Sequence, residues 1–327
     1  MPKVSFIIPF SHESGPGDLL AAVNSISAQK AVDIETLVVP DGPVHFQSLP
    51  QHVQVLPTPS RPGASFARTS AASVAKGDLL AFVDDDVILD PDWAQSALRT
   101  FEDSTVGGVS GNAIVNLKPY GLEFLPRELN WIVGGSYWDC NQPIQTDAAA
   151  GMNFCVRRTT FIKVGGYKEN LGPFNDRPET ASWRRLGAEE TELAIRIHLI
   201  TGEKVLYNPA MKVVHKLTRI QVLPKSLFKR ALHVGHNQAY LRWLFHRRWN
   251  SFSNRFLLSH LLRTVFKSVL TERSFVETWK LFSLIFVVAI GVTIGYSVGI
   301  GEFHSRLPMP IGGHSVLISP EKGTLSW

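Results

Sequence analysis

"LLAFVDDDVILDP", Leu79–Pro91, carries five apolar residues straight into three carboxylates, Asp84, Asp85 and Asp86, and then turns apolar again. An apolar run of this length, preceded by Gly77 and closed by Pro91, reads as a strand covered on both faces. Three adjacent carboxylates repel, so a folded chain keeps them only in full solvation or around a compensating cation. The run is thus either a solvated acidic turn or a place for Mg2+ or Mn2+ bound to phosphate oxygens. In an extended segment alternate side chains share a face, so Asp84 and Asp86 are expected to point together and Asp85 away.

Upstream, strand-like and helix-like segments alternate. "KVSFIIPF" opens the chain as a buried strand, and "GDLLAAVNSISAQ" follows with apolar residues at helical spacing. "IETLVV" and "VQVLP" are further strands, and "GASFARTSAASVAKG" is an Ala-rich helix leading into Leu79. Strand, helix and strand at these intervals predict an α/β fold with a mostly parallel sheet and helices on both faces. Ligands of such sheets sit outside the carboxyl ends of the strands, which places Asp41, in "VVPDGP", and Asp84–Asp86 at one crevice.

Downstream, three segments carry further candidates. In "RRLGAEETELAIRI", Glu189 and Glu190 stand at a helix start, where either the helix dipole or a general-base role accounts for them. His215, in "YNPAMKVVHK", follows a strand and is either structural or a metal or phosphate contact. "AAAGMNFCVRRTTFIKVGGYKE" is rich in small residues, which allow either tight packing or backbone approach to a ligand.

Charge is uneven. The net is +5, but residues 221–280 hold eleven Lys/Arg against two Asp/Glu, leaving the first 220 residues mildly acidic. A basic amphipathic helix is expected in "FLLSHLLRTVFKSVL", lying on an anionic membrane surface. It precedes "LFSLIFVVAIGVTIGYSVGI", Leu281–Ile300, twenty residues without a charge. That length and basic flank favour a membrane span over a core helix and place residues 1–280 in the cytoplasm. Gly291, Gly295 and Gly299 recur every four residues and permit a homodimer through the span. The expected division is a catalytic domain at 1–220, membrane-surface helices at 221–280, the span at 281–300 and a short outer tail at 301–327. The basic charge abuts the span and does not cover a domain face, so nucleic acid is not an expected partner. Two cysteines, Cys140 and Cys155, offer neither a disulfide framework nor zinc spacing.

The order of these pieces, from about Val4 to Lys216, resembles the inverting, nucleotide-sugar-dependent glycosyltransferases of family 2, which have the GT-A fold. The resemblance implies a nucleotide-sugar donor, UDP-linked, and a divalent metal, Mg2+ or Mn2+. It sets Pro9 and Asp41 against the nucleotide and Arg61 and Arg68 near its diphosphate. It makes Asp84 and Asp86 the two carboxylates of a DxD motif, with Asp85 beside the cofactor, Asp86 on the metal and His215 completing that contact. It makes Glu190 the catalytic base, where the family's usual residue is Asp. "LPRELNWIVGGSYW", Leu125–Trp138, with one C-terminal span, is similar to archaeal glucuronosyltransferases acting on dolichyl-phosphate-linked glucose. That likeness implies a UDP-glucuronate donor, a lipid-linked sugar acceptor, and Arg127, Arg177, Arg184 or Arg185 on the donor's carboxylate. The alternative is a membrane-anchored sugar-binding scaffold on the same fold.

Overall fold

The computed structural model describes residues 3–10, 16–30, 32–40, 49–59, 63–168, 171, 187–245 and 275–306. The expected helix at 256–270 and the tail beyond 306 lie outside the described residues.

The first half alternates as the sequence predicts. β1 (Lys3–Phe10), α1 (Pro16–Ser27), β2 (Asp33–Pro40), β3 (Val53–Val55), α2 (Ala64–Val74) and β4 (Leu79–Val83) follow one another. β3, β2, β1 and β4 are adjacent and parallel in that order. Every residue of β4 is buried, as expected of a strand with helices on both faces. The two faces feed separate cores. Phe6, Ile8, Ala81 and Val83 pack with α1 through Val23 and Ile26, while Ile7, Leu80 and Phe82 pack with α2 through Ala67 and Ala71. The alternation of β1 and β4 residues between the two clusters is the period-two geometry of a strand.

Past β4 the sheet becomes mixed. β5 (Val87–Leu89), α3 (Trp93–Thr100), β6 (Val106–Val115), β7 (Ile144–Gln145), β8 (Asn153–Arg157), α4 (Arg158–Lys163), α5 (Glu189–Thr201) and β9 (Lys204–His215) complete the α/β unit. The full order is β3-β2-β1-β4-β8-β6-β9-β5, with β7 on β9. β8 runs antiparallel to β4 and β6, and β5 antiparallel to β9. β4 and β5 stand four places apart in this order, about 19 Å in a flat sheet. Four Cα steps, from Val83 to Val87, reach at most about 14 Å. The sheet therefore curls, and the three aspartates bridge the gap across its mouth.

One buried charge cluster fixes the helix that follows the "KVGGYK" turn. Glu192, fully buried on α5, lies 2.6 Å from Arg196 Nη2 and 2.9 Å from Lys168 Nζ. Arg196 in turn donates to the carbonyls of Val164 and Gly166. Glu192→Ala would leave two buried cations without their carboxylate, at a cost of about 3–5 kcal/mol. A markedly lower melting temperature than the parent's is expected, and an unchanged one would show the cluster to be redundant.

α6 (Pro224–Phe245) and α7 (Phe275–Arg306) are stacked on this unit. α7 includes a stretch, Val276–Phe303, long and apolar enough to cross a membrane. Two expectations change here. α6 is not a free surface helix: Leu227, Ala231, Leu232, His236, Asn237, Tyr240 and Leu241 are buried, while Lys225, Lys229 and Arg242 stay exposed. The glycine row that permitted a dimer is taken up within the chain. A Cβ on Gly291 or Gly299 would stand 2.7 Å from the Cβ of Ala231 or Ala239, and one on Gly295 would overlap the Leu232 carbonyl. Glycine lets the two helix backbones approach closely, and α6 occupies that face.

Candidate active site

A cavity of about 340 Å³ opens at the carboxyl ends of the parallel strands. Its lining comes from five places: Pro9 at the end of β1, Ala64 and Arg68 on α2, Asp84–Asp86 after β4, Gly151 and Met152 before β8, and Glu189 and Glu190 at the start of α5. Seven of the residues singled out in the sequence, Pro9, Arg68, Asp84, Asp85, Asp86, Glu189 and Glu190, meet here. Asp41, Arg61, Arg177, Arg184 and Arg185 lie outside the described residues. Arg127 is elsewhere, on the surface and 3.4 Å from Asp139.

The three aspartates occupy a turn, not a continued strand. The alternation expected of an extended segment therefore fails, and all three line the same cavity, with Asp85 the most buried. The turn follows from the curl of the sheet, since the chain changes partners between Val83 and Val87.

Arg68 is the hub of the cavity floor. It is buried, with Nη1 2.7 Å from Glu190 Oε1 and Nη2 2.8 Å from Asp84 Oδ1, while Glu189 lies 3.8 Å away. Burial alone would lower its pKa, but Glu190 and Asp84 raise it further, so it stays charged. It was expected near a diphosphate. Its guanidinium faces carboxylates of the chain itself, and its cation holds the base candidate and the aspartate turn together.

Glu190 has a strongly raised pKa. Burial, then the neighbouring Glu189, push its pKa up to about 8 against the opposing pull of Arg68. Glu189 is also raised, chiefly by burial. The two buried carboxyls face one guanidinium, so the ionisation of one opposes that of the other. A carboxyl raised in this way suits proton abstraction better than an ordinary one.

His215, at the end of β9, reaches the site through Asp86, its Nε2 3.4 Å from Asp86 Oδ2. Its Nδ1 is 3.1 Å from the Gly134 carbonyl. That carbonyl can only accept, so Nδ1 carries the proton and Nε2 faces the aspartate. Burial lowers the His215 pKa, but Asp86 outweighs it and the net direction is up. The backbone repeats the tie, as the Lys216 amide donates to the Asp86 carbonyl at 3.0 Å.

Two glycines of the site carried no distinct signal in the sequence. Gly134 has φ +84°, and a Cβ there would stand 2.7 Å from His215 Cε1. A Cβ on Gly151 would overlap Glu190 Oε1. The small residues of "AAAGMN" do permit a close approach, but to the carboxylate of α5. Gly134 was hidden in a Gly pair, and Gly151 in a run of alanines.

For a divalent cation the donor set is partial. Among the described residues no group of three or more His, Cys, Asp or Glu is clustered as a metal site. Asp86 Oδ1 and Glu189 Oε2 are nevertheless buried without a hydrogen-bond partner. An orphaned carboxylate oxygen next to a histidine fits a cation that takes its remaining ligands from elsewhere. Cys155 is buried in β8, and Cys140 is a free thiol away from the cavity.

Residues 5–165 match Glycosyl transferase family 2. Over 246 residues, 73% of this chain and 75% of the relative, the sequence is 30% identical to the glucosyl-dolichyl phosphate glucuronosyltransferase of Haloferax volcanii. The chain belongs to glycosyl transferase family 2. Its fold is GT-A. Among solved structures, a mannosyltransferase from Pyrobaculum calidifontis in complex with GDP-Man and Mn2+ superposes with a TM-score of 0.54 at 14% identity, covering 92% of this chain and 86% of that one. GalNAc-T7 with UDP, GalNAc and Mn2+ gives 0.50 at 17% identity, covering 80% and 54%. The family match thus covers β1 to α4, and the lining of the cavity continues beyond it to α5.

Proposed function

We propose that this glycosyltransferase moves glucuronate from a UDP-linked donor to a sugar on a polyprenyl or dolichyl phosphate, with inversion, at the cytoplasmic face of a membrane. One observation carries the reading: Glu190, its pKa raised to about 8, and Asp86, whose Oδ1 is buried without a partner, line one cavity.

Asp86, with His215 behind it, would hold Mg2+ or Mn2+ beside the donor's diphosphate. Such an ion, when bound, neutralises the departing nucleoside diphosphate. Pro9 borders the nucleotide side of the cavity. His215 holds Asp86 in position, with its own ring fixed by Gly134. Arg68 holds Glu190 and Asp84 at a set separation. Glu190 accepts the proton of the acceptor hydroxyl as that oxygen attacks the anomeric carbon, and a single displacement inverts the configuration. The Haloferax relative's name supports the choice of glucuronate and a lipid-linked glucose. The apolar α7 and the basic charge before it support the membrane location.

The experiment is release of UDP from UDP-glucuronate by the full chain, with a short polyprenyl-phosphate glucose in detergent. Turnover is expected with Mn2+ or Mg2+ and complete loss in excess EDTA, restored by the ion. Turnover that survives EDTA would remove the metal from the mechanism. Binding of UDP-glucuronate without any UDP release, with or without acceptor, would favour the sugar-binding scaffold.

A further inference from the structure

α7 runs its apolar length along the catalytic unit. At its start, Leu281 and Val288 share a core with Leu125, Leu129, Ile132 and Val133. In its middle, Gly291, Gly295 and Gly299 seat on Ala231, Leu232 and Ala239 of α6. At its end, Phe303 packs on Tyr240 at 5.3 Å, and Glu302 Oε2 is 3.2 Å from His236 Nε2. The partners advance in step, so the helices are parallel. From Leu281 to Phe303 is about 33 Å of helix, as long as a hydrocarbon layer is thick, about 30 Å. The contact leaves no free length to stand alone in a bilayer.

Beneath α7, α6 is bound to the active-site rim. Asn237 Oδ1 accepts from the Gly187 amide at 3.2 Å, two residues before Glu189. A Cβ on Gly134, the glycine that holds His215, would lie 3.4 Å from Arg230 Nη1. If α7 stood perpendicular to a bilayer, α6 would enter the hydrocarbon with it. Lys225, Lys229 and Arg230 of α6 would then be placed at membrane depth, which ionised side chains strongly disfavour.

The outer face of α7 is of another kind. Phe282, Phe286, Val287, Ile290, Ile294 and Ile300 are exposed, and no acidic residue occurs from 278 to 301. Trp279, 67% exposed, and Lys280 stand at its near end, a pair suited to the headgroup level. Exposed Lys225 and Lys229 add positive charge on α6. An interfacial helix needs a polar back and an apolar front, and here α6 with the catalytic unit supplies the back. We propose that α7 lies in the plane of an anionic bilayer, outer face in the lipid, with both of its ends on the catalytic side. The alternative is the single pass that composition favours. The in-plane placement also sets Glu190 and His215 at a fixed height above the surface through α6.

The test reads lipid contact and sidedness, not sugar transfer, so its result is independent of the proposed reaction. Sealed membrane vesicles from expressing cells are treated with a membrane-impermeant maleimide. Native Cys140 marks the catalytic side, and Cys155 is inert because it is buried and its thiol pKa is pushed up. In a Cys140→Ser background, Glu277→Cys and Gly301→Cys probe the two ends, and a side chain on Gly301 meets open space. Both are expected to label in vesicles prepared in the same way as parent vesicles whose Cys140 labels. Protection of Gly301→Cys until detergent is added would establish a span and overturn the proposal. Separately, Phe286→Asp with Ile294→Asp is expected to cut flotation with phosphatidylcholine–phosphatidylglycerol vesicles by about tenfold or more. Flotation equal to the parent's, or a parent that stays unbound as a dimer joined by this face, would overturn it equally.

Discussion

A Glu190→Gln chain is expected to fold, to bind donor and metal, and to lose transfer by about 10²–10⁴-fold. Glutamine has the shape of glutamate and keeps an oxygen for the Arg68 bond, which is 2.7 Å in the parent. What it lacks is the ability to take a proton. The pH profile separates this from a packing effect. In the parent, burial and Glu189 hold the Glu190 pKa at about 8, so the carboxylate form grows as pH rises through that value. The parent's kcat/KM should rise with it, and the variant's residual rate should not. Stability has the opposite sign. A carboxyl whose pKa is raised on folding holds its proton more tightly when folded, so its contribution is full below the unfolded value and is lost as pH rises toward 8. The variant, with nothing to ionise there, should out-melt the parent at pH 9 and by less at pH 6. Full activity in Glu190→Gln would move the base to Glu189 or off α5 altogether.

Gly151→Ala is expected to lose roughly 10²-fold in kcat with little change in melting temperature. The backbone of Gly151 is not in the left-handed region, so alanine is conformationally acceptable. Its Cβ would overlap Glu190 Oε1 and lie 2.9 Å from Arg68 Nη2. The ends of two long side chains can swing aside at small cost to folding. They cannot do so and keep the carboxylate where an acceptor hydroxyl would meet it. Donor affinity, measured by UDP binding calorimetry, should change far less than kcat, because the new methyl group meets Glu190 and Arg68 and not Pro9, Asp85 or Asp86. A variant as active as the parent would mean that the geometry of Glu190 is not limiting.

Much of the site was legible along the chain because a parallel sheet forces it. Buried strands read as apolar runs, and the residues that end β1 and β4 must then stand at one edge. Pro9 and Asp84–Asp86 met for that reason, and Glu190 joined them from a helix start. The role of Arg68 was not legible. Its position on α2 was clear, but whether it faced a phosphate or the carboxylates of α5, more than a hundred residues away, depends on packing between elements that local pattern does not record. The aspartate turn failed the alternation argument for a related reason: β5 pairs with β9, a partner far along the chain.

The C-terminal helices show the same division at larger scale. Sequence alone determined that α7 is a long apolar helix beside a basic segment, since hydropathy and charge are properties of residues. The glycines at four-residue spacing announced a close helix partner, since only glycine permits that approach. Which helix fills the row, and so whether the apolar length stands free or lies against the catalytic unit, was decided only by the tertiary structure. Composition measures what a face would prefer to touch, and folding determines which faces remain to touch it.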